Sequence, residues 1–212
     1  ICWTRRPGGG SKKTISMKGD KNMTCGEAEK MVKKALSKKR FTHTVNVRDK
    51  AVELAALYGA SEEKAALAAL LHDAAKELPK EELLQILREN AIIAGDAENS
   101  PPPVWHGVCA AILAQTRWGV EDREVLDAIR YHTTGRPGMT KLDKIIFLSD
   151  MISAERDYPE VEELRRLSLQ DLDTAVATAL RYNVEWMEAC GKTIDPITRR
   201  ALDDMERIVS TR

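Results

Sequence analysis

From residue 24 onward the apolar residues of this chain recur every three to four positions and nowhere alternate, a pattern that predicts helices and no strands. Thr24 and Glu27 have the spacing of a capping box, in which each side chain satisfies the other residue's backbone N–H at a helix start. Met31, Val32, Ala35 and Leu36 form the apolar stripe of the helix that follows, and His43, Val47, Ala51, Leu54, Ala55 and Tyr58 form that of the next. Gly59 stops the second helix. Ser61, Glu62 and Glu63 start a third, whose Ala65 to Leu71 run is apolar on every side and therefore belongs at the centre of a bundle. That buried run delivers His72 and Asp73 to the interior. Pro79 opens a fourth helix carrying Leu83, Leu84, Ile86 and Leu87, and a loop with Gly95 and Ser100-Pro-Pro-Pro leads on to His106. Further helices are expected near 104–117, 121–132, 140–152, 160–168, 171–190 and 196–209, with Thr140/Asp143 and Asp195/Pro196 as starts and Gly191 as a stop. The fold class is all-α.

The first 22 residues, with Arg5-Arg-Pro-Gly-Gly-Gly-Ser and scattered lysines, lack this periodicity and do not begin with methionine. A disordered arm over 1–22 is expected, with Met23 as the native start and 23–212 as one domain, a length that buries an ordinary core. Abundant Ala, Leu, Glu and Lys with only 5% aromatic residues favour helix. The 33 basic and 33 acidic side chains cancel, so no global field draws the chain to nucleic acid or to an anionic membrane, and polyanions must be handled by a local site. Lys33, Lys34, Lys38 and Lys39 come without an aromatic platform and are expected on a solvated helix face; Trp105, Trp118 and Trp186 sit at helical positions suited to the core. Cysteines 2, 25, 109 and 190 show no C-x-x-C spacing, and no apolar run is long enough to span a membrane, so free thiols and a cytoplasmic setting are expected. The oligomeric state stays open, a homodimer among the options.

The chemistry lies in the histidines. All four fall in one ordered series with two aspartates: His43, His72-Asp73, His106, His132, Asp150. Any one of them alone would pass for an ordinary core or surface histidine. Together they mix imidazole and carboxylate, a donor set that suits iron, manganese or zinc, whereas magnesium prefers oxygen and keeps its waters. Six donors exceed the three or four that one zinc centre takes, which points to two metals with Asp73 able to bridge them.

Arg40-Phe-Thr-His43, His72-Asp-Ala-Ala-Lys76, Trp105-His-Gly107, Ala128-Ile-Arg-Tyr-His-Thr-Thr-Gly135, Met139 and Lys144-Ile-Ile-Phe-Leu-Ser-Asp150 followed by Glu155-Arg156 resemble the HD-domain metal-dependent phosphohydrolases. Within them they resemble the YqeK family of symmetrical diadenosine tetraphosphate hydrolases, over about Arg40 to Ile208. The resemblance implies a helical bundle with a buried pair of irons held by His43, His72, Asp73, His106, His132 and Asp150. It also implies cleavage of diadenosine tetraphosphate into two ADP. The chain departs from the family at Ser149, where alanine is usual, and at Ser153-Ala154, where a proline is common; neither position is among those ligands.

Around such a centre Asp73 and Lys76 are the candidate catalytic residues, Lys76 also as a point charge on phosphate if the helix of Asp73 continues through it. Arg136 and Arg156 are candidate phosphate clamps because guanidinium donates in pairs, and Thr133 and Thr134 are candidate phosphate donors or, alternatively, helix-ending residues. Arg40 fits a structural partner of a ligand carboxylate. The alternatives are hydrolysis of another nucleotide by the same chemistry, and a metal-bound nucleotide sensor without turnover.

Overall fold

The computed structural model describes residues 23–212; the expected arm over 1–22 lies outside the described residues. Eleven α-helices and no strand are found among them. The first, α1 (Cys25–Ala35), begins with the capping box expected at Thr24 and Glu27, the Glu27 N–H donating to Thr24 Oγ1 at 3.3 Å and the Thr24 N–H to Glu27 Oε2 at 3.0 Å. Val32 is buried on its inner face, but Ala35, expected beside it, is exposed. The long α2 (Lys38–Tyr58) ends where Gly59 takes φ +63°, a left-handed conformation that costs glycine little. Ser61 caps α3 (Glu62–Leu71), and Ala65, Ala68, Ala69, Leu70 and Leu71 are buried there against α1 and α2 and, later in the chain, α7 (Arg123–Tyr131) and α8 (Lys141–Ile152). Ala66 and Leu67 of the same run are half-buried, and the mainly enclosed α3 is the axis on which the bundle is built.

Beyond α3 the expected continuation through Lys76 does not occur. His72 closes the helix, its ring taking the Ala69 carbonyl, and tighter bonds follow from Ala74 N–H to Leu71 O (3.1 Å), Lys76 N–H to Asp73 O (2.9 Å) and Leu78 N–H to Ala75 O (3.2 Å). Pro79 then caps α4 (Lys80–Glu89), so the turns 72–78 are squeezed between a helix end and a helix start. The segment expected as an open loop up to His106 holds instead a one-turn helix, α5 (Ala91–Ala94), and two 3-10 turns, Gly95–Asn99 and Pro102–Val104. Short tight turns suit Pro101-Pro-Pro, which cannot donate to an α-helical ladder.

The next helix, α6 (Trp105–Arg117), is buried from Trp105 through Ala114 and packs on α4 and α7. Thr140 and Asp143 form the expected capping box of α8. Three further helices, α9 (Val161–Ser168), α10 (Leu172–Ala189) and α11 (Pro196–Ser210), cover the other side of α8 through α10. Trp105 is in the core as expected, whereas Trp186, near the end of α10, is 54% exposed and lies under the Lys192 ammonium. The lysines at 33, 34, 38 and 39 are solvated. No helix among the described residues is long and apolar enough to cross a membrane.

Cys25, Cys109 and Cys190 are free thiols. Cys109 lies in the α4/α6 contact, where its Sγ–H donates to Leu83 O at 3.4 Å and burial pushes its pKa up to about 12. The stability contributed by that protonated thiol is therefore complete below its ordinary value of 9.0 and falls away as pH climbs towards 12. Alkylation of the native protein at pH 8, followed by peptide mapping, is expected to label the exposed Cys190 readily and Cys109 only after denaturant is added. Equal labelling of both in the native state would show that α4 does not seal against α6.

Candidate metal centre

The elements meet at Asp73. It sits in the turns after α3, 2% exposed, and its two oxygens look in different directions. Oδ2 lies 3.6 Å from His43 Nε2, 3.5 Å from His72 Nε2 and 2.8 Å from Arg40 Nη1. Oδ1 lies 3.2 Å from His106 Nε2 and 3.7 Å from His132 Nε2. Asp150, on α8, joins the first group, its Oδ1 3.1 Å from His43 Nε2. All six residues expected as metal ligands are thus brought together, across five elements of the chain.

Three imidazoles are fixed by carbonyl groups at helix ends. Nδ1–H of His72 donates to Ala69 O at 2.5 Å, that of His106 to Pro103 O at 2.9 Å and that of His132 to Ile129 O at 2.7 Å. The last turn of a helix has carbonyls with no partner in the ladder, and His72 and His132 close α3 and α7 where these are available. A carbonyl only accepts, so Nδ1 carries the proton and the bare Nε2 faces inward in the neutral ring. His43, inside α2, instead donates from Nδ1 to Glu155 Oε1.

The cluster fits metal ions by an observation that hydrogen bonding leaves open: Nε2 of His43 and of His72 are buried without a hydrogen-bond partner. Donor atoms of His43, His72 and Asp150 lie within 4.8 Å of one another, as do those of His72, Asp73 and His132. Buried lone pairs aimed at a shared space among carboxylates are what a nitrogen-and-oxygen metal site requires.

Burial opposes the charged Asp73, but the neighbouring imidazoles, His72 foremost and then His106 and His132, outweigh it and hold the carboxyl well below its ordinary range. Asp150 is lowered likewise, burial being overcome by His43, His72 and Arg156. Burial pushes His106 down to about 4 against the pull of Asp73, keeping its ring neutral.

Three cations edge the cluster. Arg40 pairs with Asp73 as expected, and Arg156 donates from Nη2 to Asp150 Oδ1 at 2.5 Å and from Nε to the Asp150 carbonyl at 2.8 Å. Lys76 is brought in by the turns rather than by a helix; although the residue is exposed, its ammonium is 3.2 Å from His106 Nε2, and burial of that group lowers its pKa. Arg136 is not brought there. It bonds Asp143 through Nε (2.9 Å) and Nη2 (2.8 Å), approaches Asp127 at 3.3 Å and covers the Tyr131 ring. With two carboxylates claiming it, Arg136 ties α7 to α8. Thr134 Oγ1–H donates to Gly135 O at 2.9 Å, the helix-ending alternative, while Thr133 Oγ1 is buried without a partner beside a cleft of about 330 Å³ that Val104, Val108, Tyr131 and Ile197 also line. Glu155 was missed as a site residue although it stands in the Glu155-Arg156 pair of the family pattern; its contact with His43 spans 112 positions, which no local spacing encodes.

Residues 40–155 match the HD domain family. The symmetrical bis(5'-nucleosyl)-tetraphosphatase of Bacillus subtilis (strain 168) is 41% identical over 172 residues, covering 81% of this chain and 92% of the relative. The one from Halalkalibacterium halodurans is 39% identical over 181 residues, covering 83% and 94%. A crystal structure of a predicted HD superfamily hydrolase involved in NAD metabolism, from Clostridium acetobutylicum, superposes with a TM-score of 0.83 at 33% identity, over 90% of this chain and 99% of that one. The chain belongs to the HD-domain family, in the branch that contains these symmetrical tetraphosphatases.

Gly107 explains why a glycine follows His106. A Cβ there would stand 3.1 Å from the Arg130 carbonyl and 3.2 Å from the His132 ring, so α6 can approach α7 this closely only without one. Gly107→Ala is expected to cost about 1–3 kcal/mol in denaturant unfolding and to weaken metal binding by displacing His132. Unchanged stability together with unchanged metal affinity would contradict this packing.

Proposed function

We propose that this protein is a metal-dependent hydrolase that cuts diadenosine tetraphosphate at its central anhydride into two ADP, with two metal ions, iron in the first place, held by His43, His72, Asp73, His106, His132 and Asp150. The observation that carries this is the division of the cluster by Asp73: Oδ2 serves the side of His43, His72 and Asp150, and Oδ1 that of His106 and His132. One carboxylate facing two sets of imidazoles supports a bridged pair rather than a single ion. The name shared by the relatives from Bacillus subtilis and Halalkalibacterium halodurans supports the substrate and the symmetrical outcome.

When bound, such a pair lowers the pKa of a water nucleophile and withdraws charge from phosphate oxygens. The protein's own part is positioning and charge. Water adds to one of the two central phosphorus atoms, the bond to the bridging oxygen breaks, and that oxygen departs with the other ADP, the two protons of the water being released as both terminal phosphates ionise. Arg40, Lys76 and Arg156 stand where they can neutralise the tetraphosphate as charge moves to the leaving ADP, Arg156 with a planar fork and Lys76 as a point charge. Thr133, with its unpartnered hydroxyl, is the remaining candidate donor to substrate. Residues 23–212 work as one domain in this scheme, since α10 ties α9 and α11 to the helix carrying Asp150. The free thiols accord with a cytoplasmic enzyme.

Incubated with diadenosine tetraphosphate and iron(II) or manganese(II), the purified protein is expected to release ADP alone in chromatography of early time points. ATP with AMP would mean asymmetrical attack and defeat the proposal. Asp73→Ala is expected to keep the helical circular dichroism, because the buried run before it sustains α3, while losing both ions and more activity than the roughly 10- to 100-fold typical of an outer-shell change. Normal turnover in that variant would sink the bridged pair.

A further inference from the structure

The four imidazoles are not held alike. Those of His72, His106 and His132 donate to main-chain carbonyls of Ala69, Pro103 and Ile129, supports that come with the backbone. His43 lies in the interior of α2, where the carbonyls of the preceding turn are spent on the helix ladder. Its Nδ1–H therefore depends on a side chain, and the partner is Glu155 Oε1, reached across 112 positions.

Glu155 is itself held from several directions. Asn46, one turn beyond His43 on α2, donates from Nδ2 to Glu155 Oε2 at 2.6 Å, and Ser153 Oγ–H donates to Oε1 at 2.8 Å. The loop that carries it is fastened by Arg165 of α9, which donates from Nε to Ile152 O at 3.1 Å and from Nη2 to Ser153 O at 2.8 Å and Arg156 O at 3.0 Å. Tyr158 O–H adds a bond to Met151 O at 2.9 Å. A carboxylate fixed at both oxygens, on a loop clamped by a guanidinium, sets the rotation of one ring.

We propose that Glu155 is the positioning residue for His43 and controls one half of the centre, the side of His43, His72 and Asp150, while leaving the His106 and His132 side to its backbone supports. This rests on the two-metal reading above. It makes the two halves unequal: one has both its imidazoles held by main-chain carbonyls, whereas the other has His72 held that way and His43 by a side-chain carboxylate from the loop after α8. Outer partners of ligating histidines typically change metal affinity by about 10- to 100-fold, and here that loss should fall on a single ion.

The test is a manganese(II) titration of the metal-free full chain, with bound ions counted by electron paramagnetic resonance, for wild type, Glu155→Ala, Glu155→Gln and Asn46→Ala. Wild type should take up two ions. Glu155→Ala should keep one near wild-type affinity and bind the other about 10- to 100-fold more weakly, with the spin-coupled signal of the pair lost at low manganese. Glu155→Gln, which still offers an oxygen to Nδ1–H, should fall between, and Asn46→Ala should show a smaller loss of the same ion. Glu155 lies at the surface with 34% of its side chain exposed, so Glu155→Ala should fold; if its circular dichroism departs from wild type, the Glu155→Gln and Asn46→Ala titrations decide. Two ions bound by folded Glu155→Ala with wild-type affinity, or equal weakening of both, would overturn the proposal while leaving the hydrolase reading in place. A wild-type chain that binds fewer than two ions overturns both.

Discussion

Taking a carboxylate out of water costs several kcal/mol unless partners replace its hydration, and Asp73, only 2% exposed, has to be charged to do anything useful in this bundle. The fold answers by surrounding it. Arg40 comes from the start of α2, His43 from one turn later, His72 from the residue before, and His106 and His132 from α6 and α7. No local segment supplies this; the partners lie from 1 to 59 positions away along the chain, so the carboxylate is stable only once α2, α3, α6 and α7 have packed. Close packing at Gly107, where one added carbon would strike the His132 ring, belongs to the same requirement.

Helix ends do much of the work. An α-helix leaves its last carbonyls without partners, ordinarily a loss to be made good by water or a cap. Here α3 and α7 end on a histidine whose ring takes one such carbonyl, so the element's own defect fixes both the tautomer and the direction of a buried imidazole. The same closure ends α3 before Asp73 and turns the chain, which lets neighbouring His72 and Asp73 both reach one space although successive residues of a continuing helix would diverge by about 100°.

Much of this was legible in the sequence, and what was not has a physical cause. Caps at Thr24, Ser61, Thr140 and Asp195 are local chemistry, decided within three residues, and they appear where the spacing placed them. The buried run of α3 was legible for a related reason, since a helix apolar on all sides has only one place to go. The end of α3 was not, because the competing donor is the ring N–H of a histidine that looks like any other in a helical pattern. The ion pairs of Arg136 were not legible, because a guanidinium in a glycine-containing loop suits a phosphate as well as it suits Asp143 and Asp127, and only the packing of α7 on α8 brings those carboxylates to it. Trp186 stays out of the core on the solvent face of α10, beside exposed Glu185 and under the Lys192 ammonium.

The chain carries 33 basic and 33 acidic side chains, so long-range steering of a polyanion is weak, and screening over about 8 Å at physiological salt reduces it further. On the proposed function, attraction has to arise within contact distance of the cluster, and Arg40, Lys76 and Arg156 are the groups placed for it. Each already touches an atom of the cluster: Asp73 Oδ2, His106 Nε2 and Asp150 Oδ1. Arg40 and Arg156 keep about a third of their side chains exposed, 30% and 38%, so on the proposed function the positive charge that offsets the buried carboxylates is also within reach of an arriving phosphate chain. Stabilising the centre and recruiting its substrate are then a single electrostatic arrangement, and a change that relaxes one should disturb the other.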